Sequence, residues 1–340
     1  MLVTARSTPN IALIKYWGNR NNGLRLPAAD SLSMTLSEPT VDVSVEAAKY
    51  LSVRSTKSDG TEKRLSEAQI RRFQETIELM RRYLEALHIK EALPESLRIS
   101  IHSHIPPGVG LASSAAVFSA LARGVASLVE ETQALAPEEI SVLARLGSGS
   151  AARSIYGGFV TLESGEDNDI ASAQAAQITD EHHWELHDIV VIPSEEAKKI
   201  GSTEGHALAQ TSPHFIARIE AIRSHRQRDC IDAIQKKDFE KLQRVAEEDT
   251  TDMHHVMMTS KPPLRYLTED THRIVREVTS LREKEHLPVL YTMDAGPTVH
   301  LICPKDAADK IHAFAHSQKN CLIYATKIGK GATLLADGSA

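Results

Sequence analysis

Two residues at the ends of separate apolar runs carry the first chemical suggestion. Lys15 closes the run Ile11 to Ile14 and opens the sequence KYWGNRNNG, so a cation stands at a strand end beside Tyr16. In LYTMDAGPTVHLI, Asp294 ends a second apolar run just before a Gly-Pro turn. An aspartate there can be a simple turn residue accepting local amides. As a catalytic group it would act on a hydroxyl, with a nearby cation keeping it ionised. Lys15 is a candidate for that cation, but spacing alone does not bring the two together.

Two glycine- and serine-rich junctions offer places for an anion. IPPGVGLASSAA (105–116) combines Gly108 and Gly110, which allow close backbone approach, with Leu111, Ala112, Ser113 and Ser114 running into a helix. Free amides and the dipole at a helix start favour negative charge. A glycine turn before a serine-capped helix would read the same way, and neither a Walker loop nor a dinucleotide fingerprint is present. GSGSAARSIYGG (147–158) repeats the logic: Ser148, Gly149 and Ser150 open a helix, and Arg153 follows one turn after Ser150. A planar guanidinium suits carboxylate or phosphate. A helix junction with a surface arginine would read the same way, but two such glycine-serine junctions in one chain favour phosphate chemistry over coincidence.

The elements that must position these groups follow from periodicity. VDVSVEAA (41–48) alternates as a half-buried strand, and 65–87 places Ile70, Phe73, Ile77, Met80 and Leu84 on one helical face. Residues 96–106 return to alternation and end at two prolines, and a helix is predicted after Ser113. Pro137 and Gly147 bracket another helix. YGGFVTLE reads as a strand, and the polar, acidic stretch 164–183 reads as an excursion or linker. HDIVVIP begins a second half, with helices around 214–222, 228–246 and 268–284 and a strand pair, VLYTM and VHLIC, flanking DAGPT. Strands and helices mix without regular alternation, which favours α+β in two lobes over a doubly wound sheet.

Composition narrows the partners. With 340 residues and a net charge of -6, the chain is long enough for two domains and lacks the basic face of a nucleic-acid binder. Cys230, Cys303 and Cys321 form no metal-like spacing, the start MLVTARSTPN has no apolar signal core, and no run is long enough to span a bilayer. These features point to a cytoplasmic, non-membrane protein. The pairs His182-His183 and His254-His255 lack companions at ligand spacing.

Taken together, NIALIKYWG, LP..DSLSMTL, IPPGVGLASSAA, GSGSAARSIYGGFV, QTSP, PPLRYL and YTMDAGPTVHLI resemble the GHMP kinase superfamily. Within it the chain is similar to the mevalonate diphosphate decarboxylase branch, most like a phosphomevalonate decarboxylase, and the likeness runs from residue 7 to about 335. The resemblance implies a two-lobed α+β fold: a ribosomal-protein-S5-like, ATP-binding N-terminal lobe (1–185) and a ferredoxin-like C-terminal lobe (186–340). It also implies ATP and Mg²⁺, a small phosphorylated substrate and a homodimer. The implied reaction phosphorylates the 3-hydroxyl of a 5-phosphorylated mevalonate, and loss of that phosphate drives decarboxylation. By the same resemblance, Asp294 would orient or deprotonate the hydroxyl with Lys15 beside it. Arg153, supported by Asn10, would hold the departing carboxylate. Tyr16, Asn19, Ser148, Gly149, Ser150 and Thr211 would line the substrate. Pro106, Gly108, Gly110, Leu111, Ala112, Ser113 and Ser114 would hold the nucleotide, with Ser114 also a ligand for Mg²⁺.

Departures from the family pattern bear on the substrate. Diphosphate-using relatives read KYWGKR where this chain reads KYWGNR, so Asn19 replaces a lysine that would reach the terminal phosphate. A charged hydrogen bond contributes roughly 1.5–3 kcal/mol. Asp30, in ADS where the family has NSS, adds negative charge. Both changes predict mevalonate 5-phosphate as substrate and isopentenyl phosphate as product. The alternatives are diphosphomevalonate decarboxylation with Arg20 supplying the missing charge, a 3-kinase that does not decarboxylate, and a non-catalytic binding protein of the same fold.

Overall fold

The computed structural model describes residues 1–89, 93–106, 111, 113–129, 134–193 and 201–336. Gly108, Gly110 and Ala112 lie outside the described residues. Among the described residues no helix is long and apolar enough to cross a membrane.

The first half is built on two sheets. One is five-stranded, in the order Thr333–Leu334, Leu2–Ser7, Val41–Ala47, Leu97–Ser103, Ser52–Thr56, with only the last pair parallel. Its alternating strands do what their period requires: Val41, Val43 and Val45 are fully buried while the residues between them reach toward solvent. The helix Ser113–Val129 covers this face, and a Cβ at Gly124 would lie 2.9 Å from the Val45 side chain, so helix and sheet pack closely there. The second sheet runs Gln174–Thr179, Phe159–Glu163, Ser31–Thr35, Asn10–Ile14, all antiparallel. Asn10–Ile14 is buried at every position, which explains its unbroken apolar run.

The second half centres on an antiparallel sheet, Leu290–Thr292, Val299–Pro304, Leu186–Pro193, Cys321–Lys327. One apolar cluster contains Ile11, Leu13, Leu32 and Met34 together with Leu186, Ile222, Leu242, Leu290 and Ile302. The two halves thus share a continuous core, and the strand carrying Lys15 is packed against the half carrying Asp294. The result is an α+β fold.

Three expectations change. Residues 164–183 are not simply a linker, because Gln174–Thr179 pairs with Phe159–Glu163 and buries Ala175. Small alanines gave that strand little apolar contrast. The helix expected over 228–246 is two helices: Lys237 adopts a left-handed φ of 56°, and the Asp238 side chain accepts from the Lys241 amide at 3.0 Å to start Phe239–Thr259. Finally, the second half does not keep all of residues 186–340 to itself, since Leu334 pairs with Ala5 in the first sheet.

Candidate functional site

A cavity of about 530 Å³ opens between the end of the Asn10–Ile14 strand, the 147–153 junction and the Asp294 turn. Lys15 enters it with its side chain 2% exposed, and its ammonium donates to Asp294 Oδ1 at 2.7 Å. The pair that sequence spacing left apart is therefore joined. Its placement is over-determined. The Lys15 amide donates to Asp249 Oδ2 at 2.7 Å, and its carbonyl accepts from Arg218 at 3.0 Å. Arg218 and Asp249 are themselves paired at 2.9 Å and wholly buried. On the other side, Thr250 Oγ1 donates to the Met293 carbonyl at 2.9 Å and fixes the strand end before Asp294.

The Asp294 carboxylate is 44% exposed and opens onto the cavity. Its deep setting pushes its pKa up, but the Lys15 ammonium, with His300 and Arg153, outweighs burial and holds it below the usual range. Asp294 is ionised at neutral pH. Buried His254, which burial and Lys15 hold near 4, is neutral beside this pair and does not add charge.

Across the cavity Arg153 is fixed by three neutral oxygens. It donates to Ser33 Oγ at 2.9 Å, Ser31 Oγ at 2.7 Å and Asn10 Oδ1 at 3.2 Å. Asn10 in turn donates to the Ser150 carbonyl at 2.9 Å and Ser154 Oγ at 2.8 Å. Burial pushes the guanidinium pKa down to about 10, so it is still a cation at neutral pH, and nothing in its own contacts neutralises it. The expected pairing of Asn10 with Arg153 is present. Ser148, Gly149 and Ser150 share this wall, with Ser148 Oγ 3.3 Å from both Ser114 Oγ and Ser150 Oγ. A Cβ at Gly149 would sit 2.2 Å from the Tyr16 ring, so glycine is what lets the two approach.

Tyr16 and Asn19 line the same cavity. The Tyr16 hydroxyl donates to Asn19 Oδ1, and Asn19 Nδ2 donates to Asn22 Oδ1 at 2.9 Å. Burial pushes the Tyr16 pKa up to about 12, so the phenol remains a donor. Leu111, Ser113 and Ser114 also reach the cavity, whereas Pro106 lines an adjoining cavity of about 520 Å³ that shares Arg72, Leu111, Ser113 and Ser114 with the first.

Other expected groups lie elsewhere. The Thr211 hydroxyl donates to the Leu208 carbonyl, receives the Lys261 amide at 2.7 Å and is not on the cavity wall. Asp30 accepts from the amide and hydroxyl of Ser164, at 2.7 and 2.8 Å, rather than charging the cavity. Arg20 turns away to the carbonyls of Ser164 and Asp167 and to Ser172.

Two cavity-lining arginines were not legible in the sequence. Arg25 donates to the Leu146 carbonyl, and Arg72 donates twice to the Gly147 carbonyl, at 3.1 and 2.9 Å. Among the described residues neither pairs with a carboxylate, and burial with the neighbouring Arg25 charge holds the Arg72 pKa near 10. Only folding brings residues 25 and 72 together, so no local spacing could have flagged them. Two cations on one cavity, neither in an ion pair among the described residues, make a place for an anion with more than one charge.

Comparison with known proteins places this geometry among relatives. Residues 7–174 match the family described as diphosphomevalonate decarboxylase-like N-terminal domain, and residues 188–331 match the mevalonate 5-diphosphate decarboxylase C-terminal domain. The diphosphomevalonate decarboxylase of Rattus norvegicus is 32% identical over 93% of this chain and 80% of its own length. The crystal structure of mevalonate diphosphate decarboxylase from Staphylococcus aureus superposes with a TM-score of 0.86 at 28% identity, covering 99% of each chain. A structure of MDDEF in complex with MVAPP, AMPPCP and magnesium superposes with a TM-score of 0.85 at 26% identity, covering 98% of this chain and 99% of that one.

Proposed function

The chain belongs to the diphosphomevalonate decarboxylase family, and we propose that it catalyses the ATP-dependent decarboxylation of mevalonate 5-diphosphate to isopentenyl diphosphate. The observation that carries this reading is the Lys15–Asp294 pair at 2.7 Å, with the Arg153 guanidinium, free of any counter-charge among its own contacts, on the same cavity.

A tertiary alcohol leaves poorly, so the 3-hydroxyl must first become a phosphate ester. Asp294 accepts the hydrogen bond of that hydroxyl and aims its oxygen at the γ-phosphorus of ATP. Its lowered pKa makes it a weak base, so it takes the proton as the new O–P bond forms rather than before. Lys15, already bonded to Asp294, offers its remaining protons to the phosphoryl oxygens in transit. Arg153, itself buried, holds the C1 carboxylate. When the C3–O bond breaks and phosphate leaves, the C1–C2 bonding electrons become the C2=C3 double bond and C1 departs as CO₂. The products are ADP, phosphate, CO₂ and the isopentenyl ester.

The adjoining cavity beside Ser113 and Ser114 suits the nucleotide. Among the described residues no cluster of three or more acidic, histidine or cysteine side chains could hold a metal by itself. Hydroxyl oxygens such as that of Ser114, which lines the cavity, are hard donors that would hold Mg²⁺ together with the nucleotide's own oxygens. When bound, Mg²⁺ neutralises phosphate charge.

The relatives support the diphosphate better than the monophosphate expected from the sequence. The structure also removes one reason for that expectation, because Asp30 is tied to Ser164, and Arg25 and Arg72 supply cationic charge that position 19 lacks. One observation still favours a second reading, mevalonate 5-phosphate: Asn19 is neutral and committed to Tyr16 and Asn22. Comparing kcat/KM for the two substrates separates them. The proposal expects the diphosphate to be preferred, and Asn19→Lys to raise that preference about tenfold, as one added charged hydrogen bond would. A wild-type preference for the monophosphate would move the function to the second reading, and an unchanged ratio in Asn19→Lys would move specificity to other residues.

A further inference from the structure

His206 lines the cavity beside Tyr16, and the chemistry above gives it no task. Its Nδ1 accepts the main-chain amide of Gly18 at 3.0 Å. An accepting ring nitrogen carries no proton, so the neutral imidazole is fixed as the tautomer protonated on Nε2. The ring cannot turn freely, being packed against Tyr16 and Trp17 at centroid distances of 4.5 and 4.6 Å. The amide that orients it is equally constrained: Gly18 has φ +96°, and a Cβ there would lie 2.4 Å from Phe215. Gly205, the preceding residue, packs so close to Trp17 that a Cβ would come within 2.6 Å of it. Among the described residues Nε2 has no hydrogen-bond partner, although it is not one of the sealed-off polar atoms of the interior. Burial holds the ring's pKa near 3, so it contributes a proton donor and no charge.

We propose that His206 is a substrate-binding residue whose Nε2–H donates a hydrogen bond to a non-bridging oxygen of the substrate's 5-phosphoryl group. The assignment rests on the reading that the substrate is a 5-phosphorylated mevalonate. A neutral donor is the form that suits this wall. An imidazolium packed against Tyr16 and Trp17 would be poorly solvated, whereas Nε2–H supplies a directed bond with no charge to bury. His206 therefore adds a directed, uncharged donor to a cavity whose cations include Arg25 and Arg72.

Two substitutions separate this role from simple support of the loop. In His206→Asn the amide oxygen can keep the Gly18 contact, but no donor reaches the Nε2 position. In His206→Gln the reverse holds. The expected result is a KM for the phosphorylated mevalonate raised about tenfold in His206→Asn, as loss of one hydrogen bond to a charged group implies, with the KM for ATP and the urea midpoint unchanged. His206→Gln should recover most of that loss. Near-normal KM in His206→Asn with a defect in His206→Gln would overturn the proposal, as would equal defects in both. Calorimetric titration of each protein with inorganic diphosphate provides a readout independent of turnover. Weakened binding in His206→Asn alone supports the donor role even if wild type decarboxylates neither mevalonate ester, an outcome that would sink the functional reading instead. Equal affinity in all three proteins counts against the donor.

Discussion

Asp294→Asn is expected to lower kcat by about a thousandfold, the middle to upper range for removing a positioned acid–base group, while leaving the ATP dissociation constant within a factor of about two. The substitution keeps size and shape, and the amide oxygen can still receive the Lys15 ammonium. What disappears is the negative charge that accepts the hydroxyl proton and balances Lys15. Because Arg153 is held by Ser33, Ser31 and Asn10 and not by Asp294, the carboxylate grip keeps its geometry and the KM for the mevalonate ester should change little. Its pH dependence follows from the direction of the shift. A carboxylate held below its ordinary range by Lys15 is ionised throughout neutral and mildly acidic solution. Activity should therefore lose no base-dependent limb until the pH falls below about 4, the ordinary aspartate value. Retention of wild-type kcat in Asp294→Asn, measured by ADP release, would remove Asp294 from the chemistry.

Arg218→Met is expected to destabilise the protein by about 3–5 kcal/mol, the cost of leaving a buried ionised partner without its counter-ion. Asp249 is fully buried and receives Arg218 twice, at 3.0 and 2.9 Å, as well as the Lys15 amide. Arg226 is the next cation, at 3.6 Å, and is already engaged by Glu248 and Asp252. Replacing both members of the pair, Arg218→Met with Asp249→Asn, should recover part of the loss, since no unpaired charge is then left inside. The urea midpoint reads this directly. Activity should fall with stability in the single variant, because the same pair grips both the amide and the carbonyl of Lys15. A midpoint within experimental error of wild type would show that this pair does not anchor the strand end.

Much of this arrangement was legible in the residues. Strands such as Val41–Ala47 and helices such as Glu67–Ala86 announce themselves because one face is buried and the other wet, so period and burial coincide. Ser148 to Arg153 could be read as an anion cradle because its parts are local, within six consecutive residues. The Lys15–Asp294 pair could be suspected as two strand ends but not assembled, since 279 positions separate them and only the shared core joins the halves. Arg25 and Arg72 were invisible for the same reason, lying in a loop and on a helix with no motif around them. Thr211 shows the opposite failure: its motif is present, yet its hydroxyl is spent on Leu208 and Lys261. Asn19 sits between these cases. Its missing charge was visible, but the arginines that bear on that absence were not.

The central claim is that one active site couples phosphoryl transfer to loss of CO₂. The direct test is to supply mevalonate 5-diphosphate labelled at C1 with limiting ATP and count ADP and labelled CO₂ in the same reaction. The account predicts one CO₂ for each ADP, with isopentenyl diphosphate as the organic product. ADP formed without CO₂, leaving a stable 3-phosphate ester, would contradict it and make the protein a kinase.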